Sequence, residues 1–277
     1  MKGFILCTVF LLVSSIYFGI HYKIGSNVVE TDKVFRVGVE CDYPPNNWEA
    51  PHATDFNVPL INKEGSYADG YDIQIAKIVS KALGAKLEVK KIAWEDLIPA
   101  LNNNEIDAIF SGMLDTKARK ELINFTDTYE DRETVYAILV RRNDKWSNAK
   151  NLEDFEGARF VGQVDSNLDT AIDHLTGAIH LPPVASPNEM LEALLNRQAD
   201  GIISDFEIVQ NYVKTYPELK FITFPQDKMY VFEYTGICAG VRKTDEKLLQ
   251  DINGVLKNIS MEDRHKIMDG AIARNSN

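Results

Sequence analysis

The sequence of 277 residues predicts an α/β protein with two similar lobes, each an open, mostly parallel sheet flanked by helices. Apolar strand-like runs alternate with amphipathic helical runs from residue 34 onward. The segment 99–111 recurs, shifted by 93 positions, as 192–204, so one helix-turn-strand unit occurs twice. The composition, 45% hydrophobic and 26% charged, provides enough apolar residues for one large core or two modest ones.

The chain begins with an apolar run, residues 3–20, which is preceded by Lys2 and followed by Lys23. Such a run is typical of a secretory signal or of an uncleaved membrane anchor. No Ala-x-Ala cleavage site follows it, which favours the membrane anchor as the interpretation of residues 1–26. Either interpretation predicts an exported protein. The formal net charge of -11 argues against nucleic acid and anionic membrane surfaces as partners.

The first predicted strand covers residues 35–39, where side chains alternate as they do in a half-buried strand. Glu40, Asp42 and Tyr43 follow at its carboxyl end, and Pro44-Pro45 takes the chain out of the sheet. Residues 46–69, rich in Asn, Pro and Gly, predict an excursion loop, with a small hairpin as the alternative.

A helix is predicted at 71–83, because Ile75, Ile78 and Val79 form an apolar stripe and Gly84 ends it. A strand at 86–92, a helix at 94–101 and a strand at 107–110 follow. This order predicts parallel pairing with right-handed crossovers.

The chain is expected to cross to the second lobe at about 131–134, and a strand then runs to residue 140. The second lobe repeats the alternation, with strands at 159–164, 179–184 and 200–204 and helices at 167–175, 187–196 and 206–215. A strand at 221–224, a return strand at 229–241 and terminal helices at 247–268 complete the chain. The first lobe thus comprises 30–131 and 232–277, and the second comprises 132–231.

The segment after the strand at 107–110 carries the main candidate for ligand binding. The strand breaks at Ser111-Gly112, and Arg119 lies in or near the first turn of the next helix. A helix N-terminus disfavours a cation, and a bound carboxylate would resolve that mismatch. The alternative is a salt bridge between Arg119 and a surface acid such as Glu121.

A matching position exists in the second lobe, where the repeat aligns Gly112 with Asp205. Both positions lie just past the carboxyl end of a strand, which is where open α/β sheets bind ligands. Asp205 is also a candidate N-cap for the helix that follows it. A cation on one lobe and an anion on the other predict a site that grips both ends of a zwitterion.

From residue 34 to residue 270 the chain resembles the amino-acid-binding proteins of bacterial ABC importers, solute-binding protein family 3. The resemblance rests on FRVGVECDYPP, GYDIQIAKIVSKALG, WEDLIPALNNNEIDAIFSGM, TKARKELINFTDTYE and TGICAGVRKTDEKLL. It implies a type II periplasmic-binding-protein-like fold, with two lobes that close on one ligand about a two-segment hinge. It further implies a monomer at the outer face of the bacterial cell membrane or in the periplasm, which delivers an amino acid to an ABC transporter permease.

The resemblance also assigns roles to single positions. Arg119 matches the arginine that binds the ligand α-carboxylate, and Asp205 matches the acid that binds the α-ammonium. Tyr43 and Trp94 match the positions that sandwich the ligand side chain, although rim or core aromatics are the alternative. Glu40 matches a position that meets a polar or cationic side-chain end in some members, and a solvated loop acid is the alternative.

Ser111 and Gly112 match the binding strand end, and Ser166 matches a loop of the second lobe that helps to hold the carboxylate. Two positions depart from the family pattern. Leu114 replaces a Ser or Thr that would donate a hydroxyl to the ligand, and Asp165 replaces a Gly. Losing one hydrogen bond to a carboxylate weakens binding by roughly 1.5 to 3 kcal/mol. The acids around the pocket favour a polar or cationic ligand side chain.

Two other functional classes share this fold, a dehydratase-type enzyme and a sensor that reports ligand to a signalling partner. The five histidines are scattered without metal-ligand spacing, and no nucleophile motif is visible. We therefore expect no enzyme activity, no metal and no cofactor. Cys41 and Cys238 could pair in an exported protein, or they could be two buried thiols.

Overall fold

The computed structural model describes residues 33–130, 136–224 and 236–275. The strands in these ranges are β1 (Val34–Val39), β2 (Asp42–Tyr43), β3 (Asn47–Ala50), β4 (Val58–Pro59), β5 (Tyr67–Asp69), β6 (Lys86–Lys91), β7 (Ala108–Ile109), β8 (Asn124–Glu130), β9 (Tyr136–Arg141), β10 (Arg159–Phe160), β11 (Ile179–His180), β12 (Gly201–Asp205), β13 (Leu219–Ile222) and β14 (Ile237–Val241).

The helices in these ranges are α1 (Tyr71–Ala82), α2 (Leu97–Asn102), α3 (Lys117–Leu122), α4 (Asn167–Ala171), α5 (Pro187–Leu195), α6 (Phe206–Thr215), α7 (Glu246–Leu256) and α8 (Met261–Asn275). Short 3-10 helices cover Trp94–Asp96, Lys145–Asn148, Leu152–Phe155 and Ile172–His174.

Two five-stranded sheets have the same topology. The first has the order β6-β1-β7-β14-β8 and the second has the order β11-β10-β12-β9-β13. In each sheet the fourth strand, β14 or β9, runs antiparallel to both neighbours, so four of the five strands point the same way. The predicted α/β architecture of two open, mostly parallel sheets is confirmed, and we call the two sheets with their helices the first and second lobe.

Both sheets are covered by helices on two faces, as alternation along a strand requires. In the first lobe, Ala108 of β7 packs in the core under α1, α7 and α8, whereas its neighbour Ile109 packs on the opposite face against α2. In the second lobe, Leu139 of β9 faces the core formed with α5 and α6, and Ile138 faces the core formed with α4. The terminal helices cover the first lobe, as the sequence predicts.

Several elements differ from the sequence prediction. Segment 42–69 forms a four-stranded sheet of order β2-β3-β5-β4 rather than a loop or one hairpin. The strands predicted at 159–164 and 179–184 are only two residues long, because Pro182 and Pro183 have no N-H to donate to a continuous ladder. Residues 124–130, which the sequence analysis left without an element, form the edge strand β8, and the strand predicted at 221–224 lies at 219–222.

The predicted lobe crossing at 131–134, its return near 232 and the apolar run at 3–20 lie outside the described residues. In the part of the chain that the structure describes, no helix is long and apolar enough to cross a membrane. Cys41 and Cys238 are both buried, and no disulfide joins them.

Candidate functional site

The carboxyl ends of β1, β7 and β12 meet at one cavity between the two lobes. It encloses about 460 Å³, part of it open to solvent. The lining residues are Glu40, Tyr43, Trp94, Ser111, Gly112, Leu114, Tyr136, Gln163, Ser166, Asn167, Leu168, Asp205 and Ile237. Seven of the eight predicted site residues are among them. The eighth, Arg119, lines an adjoining opening together with Trp94 and Ser166.

Arg119 is held beside the cavity by backbone carbonyls. The Thr116 hydroxyl caps α3 by accepting from the Arg119 N-H at 3.4 Å. The guanidinium donates to the carbonyls of Leu114 and Asp165, each at 3.0 Å, and lies 4.9 Å from the centre of the Trp94 ring. Burial lowers the pKa of Arg119 to about 10. Among the described residues no carboxylate lies within 4.0 Å of it, so the alternative of a salt bridge to Glu121 is wrong.

Asp205 lies at the end of β12 and occupies the N-cap position of α6, but its side chain makes no capping hydrogen bond. It instead accepts a hydrogen bond from the Tyr43 hydroxyl, which belongs to the first lobe. A carboxylate aimed across the cleft, and not at its own helix, remains in position to meet a ligand cation.

A second acidic group lies at Glu40, which is only 5% exposed. Burial raises its pKa to about 8, and the nearby charge of Asp42 adds to that rise. The Gln163 amide opposes it by donating a hydrogen bond to the Glu40 carboxylate from the second lobe. The Ser111 hydroxyl accepts from the Glu40 N-H at 3.0 Å. Glu40 is therefore a buried acid held by neutral groups, and the alternative of a solvated loop acid is wrong.

Asp42 extends this acidic end behind the cavity. Burial raises its pKa, and hydrogen bonds from Ser186 and Asn188 of the second lobe oppose that rise. The hydroxyl of Tyr212, a residue 8% exposed, has no hydrogen-bond partner among the described groups, and burial beside Asp42 and Glu40 raises its pKa. Asp42 and the Tyr212 hydroxyl do not line the cavity, but they place two further oxygen-bearing groups close to Glu40.

The aromatic residues and the second-lobe loop meet at Asp165. Its backbone is left-handed at a φ of 55°, where the family pattern has Gly, and its carbonyl also accepts from the Trp94 indole N-H at 3.3 Å. Ser166 caps α4, accepting from the Asp169 N-H at 3.2 Å. Tyr43 and Trp94 both line the cavity, and each also packs against a hydrophobic core, so their role as ligand-enclosing rather than core or rim aromatics stays a prediction.

Sequence reasoning missed Gln163 and Asn188, which reach the two acids from the second lobe. A signal for Gln163 exists, because β10 is the counterpart of β1 in the repeated topology, and the residues after β1 line the cavity. Asn188 lies inside α5 and carries no such signal. Within the described ranges, no group of three or more His, Cys, Asp or Glu side chains is arranged to hold a metal ion.

Comparisons with known proteins identify relatives of this chain. The chain is 29% identical over 233 residues to a probable histidine-binding protein of Neisseria gonorrhoeae, covering 82% of this chain and 78% of that protein. It is 27% identical over 211 residues to an arginine-binding extracellular protein of Bacillus subtilis (strain 168), covering 76% of this chain and 78% of that protein.

Solved structures give the same result. An ancestral arginine-binding protein bound to arginine superposes with a TM-score of 0.70 at 26% identity, covering 86% of this chain and 97% of that chain. The substrate binding protein of an amino acid ABC transporter superposes with a TM-score of 0.72 at 25% identity, covering 86% of this chain and 98% of that chain. A family model of bacterial extracellular solute-binding proteins, family 3, matches residues 35–269, and the chain therefore belongs to that family.

Proposed function

We propose that this chain captures an amino acid outside the cytoplasm and delivers it to an ABC importer. The observation that carries the proposal is the arrangement of opposite charges on the two lobes. Arg119 lies in the first turn of α3 on the first lobe, beside the cavity, and Asp205 lies at the end of β12 on the second lobe and lines it. Relatives named as histidine-binding and arginine-binding proteins support it. An amino acid presents a carboxylate and an ammonium at one carbon, which is the charge pattern that such a site complements.

We infer that the ligand side chain points toward Glu40 and ends in a cation. Arg119 would hold the α-carboxylate by exchanging its bond to the Asp165 carbonyl, and Asp205 would hold the α-ammonium. Tyr43 and Trp94 would enclose the side chain. The buried acid at Glu40 has no positive partner bonded to it among the described residues, and a guanidinium, ammonium or imidazolium would supply one.

We further propose that the first lobe comprises 30–131 and 232–277, that the second comprises 132–231, and that the two chain crossings between them act as a hinge. In this proposal the protein is a monomer that acts without a cofactor and is tethered through residues 3–20 at the outer face of the cell membrane. The equal topology of the two sheets supports the lobe assignment, and the hydrogen bonds between facing strand ends support closure around a ligand.

A calorimetric screen of L-arginine, L-lysine, L-histidine and L-glutamine tests the function, the ligand and the site together. We expect the basic amino acids to bind more tightly than glutamine. Arg119→Ala should weaken binding by about 30-fold or more, because it leaves a buried carboxylate without its partner. Arg142→Ala, an exposed arginine bonded to the carbonyls of Pro217 and Leu219, is the matched control and should bind normally. Normal binding by Arg119→Ala would refute the assigned pose.

The same panel separates a binding protein from an enzyme. The ancestral precursor of cyclohexadienyl dehydratase superposes with a TM-score of 0.70 at 23% identity, which shows a shared fold alone. We expect each ligand to be recovered unchanged after incubation with the protein. Consumption of the ligand would favour the enzyme, and binding without import in a cell that carries the permease would favour a sensor.

A further inference from the structure

A fully buried acid lies directly behind the candidate site. Asp72 is the second residue of α1 and has no exposed surface. One carboxylate oxygen accepts from the Tyr129 hydroxyl of β8 at 2.7 Å, and the other accepts from the Asn47 side-chain amide of β3 at 2.8 Å. The backbone N-H of Gly112 also donates to it. Three donors from three separate segments therefore converge on one carboxylate.

Two of these segments carry residues of the cavity. Gly112 lines the cavity itself and adopts a φ of 61°, and a Cβ atom there would lie 3.2 Å from the Tyr43 ring. Asn47 pairs with Tyr43 in the small sheet, so the segment that Asp72 holds is the one that presents this ring to the ligand. The position of Tyr43 against Gly112 thus depends on the group that binds both segments from behind.

Backbone contacts strengthen the same junction. The first N-H groups of α1, from Tyr71 and Asp72, donate to the carbonyls of Pro45 and Asn46 at 3.1 and 2.9 Å. The helix N-terminus also favours a negative charge at its second position. The end of α1 is therefore docked on the loop between β2 and β3 by its backbone and by its acid together.

An ionised acid accepts from all three donors as they stand. A carboxylate accepts through both oxygens and has no donor of its own, whereas the NH2 group of an Asn at this position would require the Tyr129 hydroxyl to turn and accept. No cation contributes to the charge state of Asp72 among the described residues, so hydrogen bonding alone offsets its burial. A neutral side chain would cost less free energy to bury at this position. We therefore explain the presence of the Asp72 carboxylate by the groups that it holds in place.

We propose that Asp72 is a positioning residue for ligand capture, whose ionised carboxylate holds the Gly112 amide and the segment bearing Tyr43 in the geometry that receives the ligand. This inference rests on the proposed function. It predicts that protonation of Asp72 loosens the site, because one oxygen would then become a donor, the Tyr129 hydroxyl would have to turn and accept, and the bonds to Asn47 and Gly112 would lose the strength that the charge gives them.

Among the titratable groups next to Asp72, only Asp72 itself is expected to change its protonation state near neutral pH. Burial raises its pKa to about 6, and the hydrogen bonds from Tyr129, Asn47 and Gly112 oppose that rise. Tyr129 faces it from β8 with a pKa raised well above its usual value, and Cys41 faces it from the end of β1 with a pKa raised to about 12 by burial. Both stay neutral between pH 5 and 8, where Asp72 changes charge.

The first test compares Asp72→Asn with Asp69→Asn, using L-arginine as the probe. Asp69 is also buried, at 4% exposed, but it pairs with Arg274 of α8 and does not line the cavity. We expect Asp72→Asn to weaken L-arginine binding at least tenfold and Asp69→Asn to change it less than twofold. Equal effects of the two variants on affinity would overturn the proposal.

The second test needs no ligand and follows the amide resonance of Gly112 by NMR as pH changes. The shift should titrate with a midpoint near pH 6 in the wild type, well separated from the titration of Glu40 near pH 8. In Tyr129→Phe, which keeps the ring and removes one donor from the charged form, the midpoint should rise by about one pH unit. That variant also serves if Asp72→Asn fails to fold.

A Gly112 amide that does not titrate, or a midpoint that Tyr129→Phe leaves in place, would overturn the proposal. If the wild-type protein binds none of the amino acids, the proposed function fails, and the Gly112 titration then decides by itself whether Asp72 controls this strand end.

Discussion

Binding of a cationic amino acid should release a proton from Glu40. In the ligand-free protein the pKa of this buried carboxyl is raised to about 8, so its neutral form predominates at pH 6.5. A ligand cation favours the ionised form of Glu40, so the Glu40 carboxyl must lose its proton when the ligand binds. The ionised fraction rises from about 3% at pH 6.5 to about 50% at pH 8, so affinity for L-arginine should rise about 15-fold over that interval.

Isothermal titration calorimetry in two buffers of different ionisation enthalpy measures this proton directly. At pH 7 we expect release of about 0.9 proton for each L-arginine bound, because about nine in ten Glu40 side chains are then neutral. L-glutamine carries no side-chain charge and should release almost none. Glu40→Gln keeps an acceptor for the Gln163 amide, and its affinity for L-arginine should be lower and independent of pH in this interval.

Stability should respond to pH in the opposite direction. A carboxyl with a raised pKa in the folded state binds more protons folded than unfolded between about pH 4.5 and 8, so its contribution to the unfolding free energy falls as pH rises through that window. Glu40→Gln should therefore raise the melting temperature of the ligand-free protein at pH 8. Affinity that stays constant from pH 6.5 to 8, with no proton released, would refute this reasoning about Glu40.

Two further substitutions test the site and its support. Asp205→Asn keeps an acceptor for the Tyr43 hydroxyl but removes the charge, so L-arginine affinity measured by calorimetry should fall about 30-fold or more, and unchanged affinity would contradict the role assigned to Asp205. Gly70→Ala should lower the unfolding free energy by roughly 1 to 3 kcal/mol in denaturant titration, since φ is 128° and a Cβ would lie 2.2 Å from a backbone carbonyl oxygen. Gly84→Ala, at a φ of 61° in open space, is its control and should cost less, so equal losses would contradict the steric argument.

Most of the cavity could be predicted because the carboxyl ends of parallel strands meet at one edge of a sheet. Glu40, Ser111 and Asp205 needed only the strand periodicity and the repeat to be placed together. The topology of the second lobe could have placed Gln163 at the cavity, after β10, but its contact with Glu40 could not be predicted. That contact and the one between Asn188 and Asp42 depend on how the two lobes face each other, and no pattern within one lobe encodes that arrangement.

The position of β8 escaped prediction for a different reason. Its residues Asn124–Glu130 alternate weakly and carry several polar side chains, because β8 lies at the edge of the sheet formed by the described residues, with β14 on one side. Arg119 illustrates a third limit. Its place in the first turn of the helix after β7 was predicted correctly, and its role in ligand binding stays a prediction. Its guanidinium bonds the Leu114 and Asp165 carbonyls, and the second of these contacts depends on how the two lobes face each other.

The partners found in the cavity indicate how the site would discriminate among ligands. Arg119 donates to backbone carbonyls, Asp205 accepts from a hydroxyl and Glu40 accepts from an amide. A ligand therefore exchanges these neutral partners for its own groups, and only the difference between the two sets contributes to affinity. A hydrogen bond is already strengthened when one of its partners is ionised, so a neutral ligand group gains little by replacing a neutral partner. A ligand group of opposite formal charge adds Coulomb attraction to the hydrogen bond and therefore contributes to affinity. A neutral analogue of the same shape would replace the existing bonds without that gain, and the site should favour an amino acid whose three charged groups match Arg119, Asp205 and Glu40.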